Sequence, residues 1–238
     1  MKKILILLAM LISSAVLSAK EAEVTADKTV TKVTFYSPEI VRVTKTPVGE
    51  AGNTRASLVV TMTPQEGLKV TKSENSSAVT LKSPVLTVRI DKKTGLVQFL
   101  AKGKNLLKEK SYGFEERKDG PDKGSYRTTI VYQLDKDEPI YGLGVTQDGK
   151  LNHRGSTHMN MEQNNTQDYQ HVIQSIKGWG IYWDNYSRSQ FIDNEEGMKF
   201  SAEVGGGSSA LWHEDLGVIS HPSDNKTFDH EGERAIPN

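Results

Sequence analysis

Val85-Leu86-Thr87-Val88-Arg89-Ile90-Asp91-Lys92-Lys93-Thr94-Gly95-Leu96-Val97-Gln98-Phe99-Leu100 is the stretch that decides the fold. Leu86, Val88 and Ile90 alternate with Thr87, Arg89 and Asp91. A period of two sets the apolar side chains on one face of an extended chain. Asp91 to Gly95 then supplies turn chemistry, ending in a glycine able to take positive φ. Leu96, Val97, Phe99 and Leu100 begin a return strand. The segment predicts a β-hairpin with a loop of three to five residues and a bulge.

The same pattern recurs on both sides of this hairpin. Toward the N-terminus, Thr29 to Tyr36, Ile40 to Thr46 and Leu58 to Thr63 are β-branched runs of strand length. Pro38, Pro47 and Pro64 stand at their borders, where a missing N–H is tolerated. Toward the C-terminus, Arg127 to Leu134, Gly178 to Trp183, Gln190 to Ile192 and Met198 to Val204 read as further strands. The charged stretch Glu115 to Ser125, with Gly120, Pro121 and Gly124, reads as a solvated turn. Apart from the N-terminal apolar run, no apolar stripe of helical period exceeds about three turns. Many short strands with frequent turns predict an all-β, antiparallel β-sandwich rather than an alternating βαβ sheet.

Composition narrows the function classes. The chain has 238 residues, 30 basic against 30 acidic, so it carries no basic footprint for nucleic acid. It has no cysteine, which removes disulfides, thiolate nucleophiles and zinc–cysteine sites. A chain of this length buries enough apolar surface to fold without such staples. Lys2 and Lys3 precede an apolar run from Ile4 to Leu17, and Ser18 and Ala19 offer small residues for cleavage. That order predicts a signal peptide over 1–19 and a periplasmic or extracellular protein. The run is shorter than the roughly 20 residues a spanning helix needs. Residues 20–204 form the predicted β-sandwich domain. From Gly205 the alternation ends: Gly205-Gly206-Gly207-Ser208-Ser209 is linker-like, and the polar remainder to Asn238 predicts an irregular tail.

Three motifs bear on function. Tyr141-Gly142-Leu143-Gly144 is followed by Leu151-Asn152-His153-Arg154-Gly155, then by Gln163-Asn164-Asn165-Thr166. Ser175-Ile176-Lys177-Gly178-Trp179-Gly180-Ile181-Tyr182-Trp183-Asp184-Asn185 completes the series. In order and spacing these resemble the N-terminal, galactose-mutarotase-like domain of glycoside hydrolase family 31, which includes α-glucosidases and α-xylosidases. The resemblance covers roughly residues 24 to 204. It implies a carbohydrate-contacting domain whose loop reaches over a catalytic barrel. The partner would be an oligosaccharide or polysaccharide, with the (β/α)₈ barrel as the intramolecular partner in the intact enzyme. On that basis Asn164, Asn165, Thr166, Gln167 and Asp168 are the candidate substrate-binding residues. Their amide, hydroxyl and carboxylate groups suit sugar hydroxyls. Ile176 stands where a small residue is usual, and Asp168-Tyr169-Gln170-His171 lacks the usual proline.

Composition alone reads that polar loop as solvated, and Trp179 and Trp183 as core or interface aromatics rather than sugar platforms. His153 and His158 read as packing or surface histidines, a pair without a third ligand, and no metal or cofactor is assigned. No catalytic residue is assigned either. A retaining α-glycosidase needs two carboxylates about 5–5.5 Å apart. The family places both on a barrel of about 250 residues, against the 34 residues from Gly205 to Asn238. The nucleophile's Trp-x-Asp-Met context is absent, and Met159-Asn160-Met161-Glu162 lacks the aspartate. The expectation is therefore a front part of an α-glycosidase, truncated or frameshifted near residue 206. A stand-alone carbohydrate-binding module is the alternative, and a structural envelope protein ranks third. An epimerase role would rest on fold analogy only.

Overall fold

The computed structural model describes residues 17–50, 57, 59–120, 123–162, 167–185, 187–205 and 214–215. Among these, every element is a β-strand and every pairing is antiparallel. Chain order runs β1 (Leu17–Ser18), β2 (Glu21–Ala26), β3 (Thr29–Phe35), β4 (Val41–Pro47), β5 (Thr71–Glu74), β6 (Ala78–Lys82), β7 (Leu86–Asp91) and β8 (Val97–Ala101). It continues through β9 (Lys104–Glu116), β10 (Tyr126–Gln133), β11 (Ile140–Val145), β12 (Thr157–Met161), β13 (Asp168–Ser175), β14 (Gly180–Tyr182), β15 (Ser189–Asn194), β16 (Gly197–Gly205) and β17 (Glu214–Asp215).

The hairpin over 86–101 forms as the alternation requires, with Ile90 opposite Val97 and Val88 opposite Phe99. Leu86, Val88 and Ile90 are buried, while Arg89 faces solvent. Asp91 builds the turn: its Oδ1 accepts from the Lys93 and Thr94 N–H groups and from the Thr94 hydroxyl. Gly95 closes it at φ +70°.

Three sheets surround one core. The largest has ten strands in the order β1-β5-β6-β7-β8-β9-β10-β16-β15-β12. A second runs β17-β4-β3-β2, and a third β11-β13-β14. Strand β3 turns Thr29, Thr31, Val33 and Phe35 inward, and β2 turns in Ala22, Val24 and Ala26. These meet Leu81, Val88, Ile90 and Val97 of the large sheet in one continuous apolar cluster, the interior of a β-sandwich. The same cluster includes Ile140, Leu143, Ile173 and Ile181 of the third sheet.

Four sequence expectations need adjustment. Leu58 to Thr63 is not a strand over its described residues 59–63. Ser57 Oγ accepts from the Val59 and Val60 N–H groups at 3.2 and 2.9 Å, a local turn that competes with a sheet ladder. Glu115 and Glu116 belong to the long strand β9, paired with Arg127 and Tyr126, so the charged turn starts at Arg117. The strand expected over Gly178–Trp183 shortens to Gly180–Tyr182, because residues 175–179 form a tight turn. Within the expected tail, Glu214–Asp215 pairs with β4. No helix of the described residues is long and apolar enough to cross a membrane. Most of the expected signal peptide lies outside the described residues, while Leu17–Ser18 pairs with Thr71–Lys72.

Candidate functional site

The motif Tyr141-Gly142-Leu143-Gly144 folds into β11, and its glycines are there because two backbones nearly touch. A Cβ on Gly142 would lie 2.2 Å from the Val172 carbonyl oxygen, and one on Gly144 would lie 2.1 Å from that of Asp168. Gly142, Leu143 and Gly144 all have positive φ, and the register with β13 slips between Gly142 and Gly144. This bulge buries Leu143 completely and carries β11 close along β13 up to the pair Val145–Asp168.

The loop with the predicted sugar-contacting residues joins β12 to β13. It is shorter than Met159–Asp168, because Met159 to Met161 are edge strand β12. Asn164, Asn165 and Thr166 lie outside the described residues. Gln167 is half-buried, and Asp168 is exposed at the first position of β13. The two described members of the set therefore sit side by side where the loop returns to the third sheet.

The Ser175–Asn185 motif resolves into one carboxylate and its donors. Glu138 is buried just before β11. Its carboxylate accepts from Ser175 Oγ at 2.5 Å, Trp179 Nε1 at 2.8 Å and the Asp135 N–H at 3.1 Å, and Lys177 Nζ pairs with it at 3.0 Å. Burial pushes this carboxyl up, but the Ser175, Lys177, Asp135 and Trp179 donors outweigh it and hold it below the usual carboxylate value. Ser175, Lys177 and Trp179 sit two apart in sequence and converge because the 175–179 turn folds them over one anion. Sequence reading found the motif but not Glu138, whose side-chain donors are 37 to 41 residues away.

The two tryptophans part company. Trp183 is fully buried and stacks on Phe200, ring centroids 5.5 Å apart. Trp179 is anchored through its indole N–H, and it lines a cleft of about 360 Å³. Tyr36, Ile40, Arg42, Met62, Tyr182 and Asp184 also line that cleft, which mixes aromatic faces with polar groups. Gln167 and Asp168 do not line it.

A second cluster joins Asp148 and His153, on the segment between β11 and β12, to His158 of β12. Asp148, His153 and His158 bring one ligand-type atom each to within 4.8 Å of one another. The rings of His153 and His158 meet edge to face at 5.4 Å, and Tyr169 and Phe191 wall His158. Burial and the neighbouring His153 hold His158 below the usual imidazole value, against a partial opposing pull from Asp148. The histidine pair of the sequence thus gains a third side chain, Asp148. Its spacing from His153 equals that from His153 to His158, a signal too common to weigh in sequence alone.

No curated protein sequence matches the chain. Among solved structures, a family 31 α-xylosidase from Xanthomonas citri is 23% identical, with a TM-score of 0.64, over 74% of this chain and 19% of its own. An α-xylosidase from a soil metagenome, in complex with xylose, is 21% identical, with a TM-score of 0.70, over 85% of this chain and 32% of its own. A Flavobacterium johnsoniae family 31 dextranase is 23% identical, with a TM-score of 0.63, over 85% of this chain and 25% of its own. The chain thus spans a fifth to a third of the length of these proteins, and the likeness gives the fold. Residues 30–191 match the glycosyl hydrolase 31 N-terminal galactose mutarotase-like domain, and the chain belongs to that family.

Proposed function

We propose that this chain is the carbohydrate-contacting front domain of an exported family 31 α-glycosidase that hydrolyses α-linked glucosides or xylosides. The observation that carries the reading is the family match over residues 30–191, joined to solved neighbours that are α-xylosidases and a dextranase. Hydrolysis belongs to a barrel that supplies the two carboxylates. The part of this domain is to hold one wall of the substrate site. Asn164, Asn165, Thr166, Gln167 and Asp168 are the side chains assigned to that contact. Their loop springs from β12 and β13, whose backbones are pinned by the Gly142–Gly144 bulge and the ladder to β15. Export rests on Lys2, Lys3 and the apolar run that follows, and N-terminal sequencing of the exported protein tests it.

A second reading, a stand-alone carbohydrate-binding module, is favoured by the closed core, in which all three sheets share one apolar cluster. Titration of the chain with isomalto- and xylo-configured α-oligosaccharides, followed by tryptophan fluorescence, separates the two. Saturation at millimolar sugar, lost in N164A/N165A, supports independent binding. Saturation only when the barrel is fused or co-expressed supports the front-domain reading. No sugar response in either form overturns both.

A further inference from the structure

We propose that Asp148, His153 and His158 form a binding site for a zinc-class divalent transition-metal ion. The case starts from two nitrogen atoms. His153 and His158 are 98% and 93% buried by residue, with 2% and 7% of their surface exposed. His153 Nδ1 and His158 Nε2 are both buried without a hydrogen-bond partner. A buried imidazole nitrogen left unpaired is costly, and such orphans call for an explanation. Here one nitrogen of each ring and an Asp148 carboxylate oxygen lie within 4.8 Å of one another, and the unpaired His158 Nε2 faces Asp148 Oδ2 at 3.8 Å.

The surroundings orient these lone pairs. His153 Nε2 lies 3.0 Å from the Gly142 carbonyl oxygen, which only accepts, so Nε2 carries the proton and donates. Nδ1 of the neutral ring is then left with its lone pair. His158 Nδ1 lies 3.4 Å from the Tyr169 hydroxyl. In the tautomer a metal ion selects, Nδ1–H donates to the Tyr169 oxygen and the Nε2 lone pair faces Asp148, whose Oδ2 is 3.8 Å away. Metal-bound histidines commonly fix their tautomer by just this kind of outer hydrogen bond to a carbonyl or hydroxyl. Asp148 is itself steadied: its Oδ1 accepts from Thr146 Oγ1 and the Lys150 N–H. Oδ2 is free to turn toward the two rings.

Two imidazoles and one carboxylate are the donor set of open, three-ligand zinc sites, with a fourth position for water. All-oxygen coordination, which calcium and magnesium prefer, is absent from this set. Ligand atoms in a tetrahedral zinc site are about 3.3–3.5 Å apart, given bonds of about 2.0–2.1 Å. The three ligand atoms, within 4.8 Å of one another, close to that spacing when the ion binds, and Asp148, exposed on its turn, opens the path for it. Bound metal would tie the 146–156 segment to β12 and, through His158 and Tyr169, to the start of β13.

The test uses the full chain, purified without a histidine tag and stripped of metal by chelating resin. Zinc titration by calorimetry is expected to give one site per chain with a micromolar or lower Kd. Zinc should raise the thermal midpoint in a concentration-dependent way. Asp148→Asn, at an exposed position that leaves folding intact, should weaken binding at least tenfold, and His158→Gln more. Cobalt should give the visible absorption of a four-coordinate site in the wild type and lose it in Asp148→Asn. The tail variant H213Q/H221Q/H230Q should bind as the wild type does. Binding abolished in the tail variant but kept in Asp148→Asn, or no binding below millimolar zinc, overturns the proposal.

Discussion

Lys45 Nζ lies 2.9 Å from Glu109 Oε2, an ion pair whose side chains are 4% and 0% exposed. It joins β4 of the four-stranded sheet to β9 of the ten-stranded sheet through the middle of the sandwich. Lys45 also donates to the Gly95 carbonyl at 2.9 Å and to Thr31 Oγ1 at 3.2 Å, and sits over the Tyr112 ring. Glu109 Oε2 accepts from the Val97 N–H as well. Burial pushes the Glu109 carboxyl up, with Lys45 opposing. Two charges taken out of water stabilise little as a pair, yet removing one strands the other. Lys45→Met is therefore expected to cost about 3–5 kcal/mol. K45M/E109Q, which keeps an acceptor for the Val97 N–H, should recover much of that loss. Urea unfolding of the three proteins measures it. Additive losses would show that the two side chains do not act as a pair.

Glu138 makes the opposite prediction about acid. Its folded-state pKa is lowered, so the stability it contributes is present above the unfolded value of about 4.3 and is lost as pH falls through the folded value. Protonation removes acceptor capacity from Ser175, Lys177 and Trp179 together. Glu138→Gln should lower stability by about 2 kcal/mol at pH 6, the scale of hydrogen bonds to a charged group. It should also flatten the loss of stability between pH 4.5 and 3 relative to the wild type. Urea midpoints over that range check both. Equal slopes would remove Glu138 from the account of acid sensitivity.

Gly142 and Gly144 hold the bulge that sets the path of β11 beside β13. Alanine at either needs a backbone carbonyl to move by about 1 Å in a position with positive φ. Overpacking and backbone strain together predict a loss of about 3 kcal/mol or more for Gly144→Ala. Gly149→Ala shares the positive φ but meets nothing within 4 Å. It should cost only the conformational penalty, about 1 kcal/mol. Thermal midpoints of the two variants separate the steric term from the conformational one.

These cases show what sequence could and could not supply. Alternation named the Leu86–Ile90 hairpin because its apolar set is local and periodic. The motif with Gly142 and Gly144 was visible, yet the carbonyls these glycines approach, on Val172 and Asp168, lie 30 and 24 positions on in the chain. Glu138 was missed because a lone carboxylate looks the same whether solvated or surrounded by four donors. Leu58 to Thr63 misled because β-branched composition does not reveal that Ser57 bonds the following N–H groups. The metal-type cluster needed three-dimensional proximity: Asp148 is an ordinary turn residue until the fold lays it beside two buried rings.

Trp179 and Trp183 are four positions apart and test the division between wall and core. Trp183 is packed on Phe200 with its indole N–H unpaired. Trp183→Phe should therefore cost well under the about 3–5 kcal/mol expected for Trp183→Ala, since it removes an unsatisfied donor while keeping a ring. Trp179 spends its N–H on Glu138 and shows its ring to the cleft beside Tyr36 and Tyr182. Trp179→Phe loses that bond but keeps the ring, with a cost of about 1–2 kcal/mol. A ring at the cleft reports solutes that a ring in the core does not. Acrylamide should quench Trp183→Phe, which retains Trp179, more than it quenches Trp179→Phe, which retains Trp183. Trp212 is present in both and cancels in the comparison. Equal quenching of the two variants would place Trp179 in the core with Trp183 and remove it from the wall of the cleft.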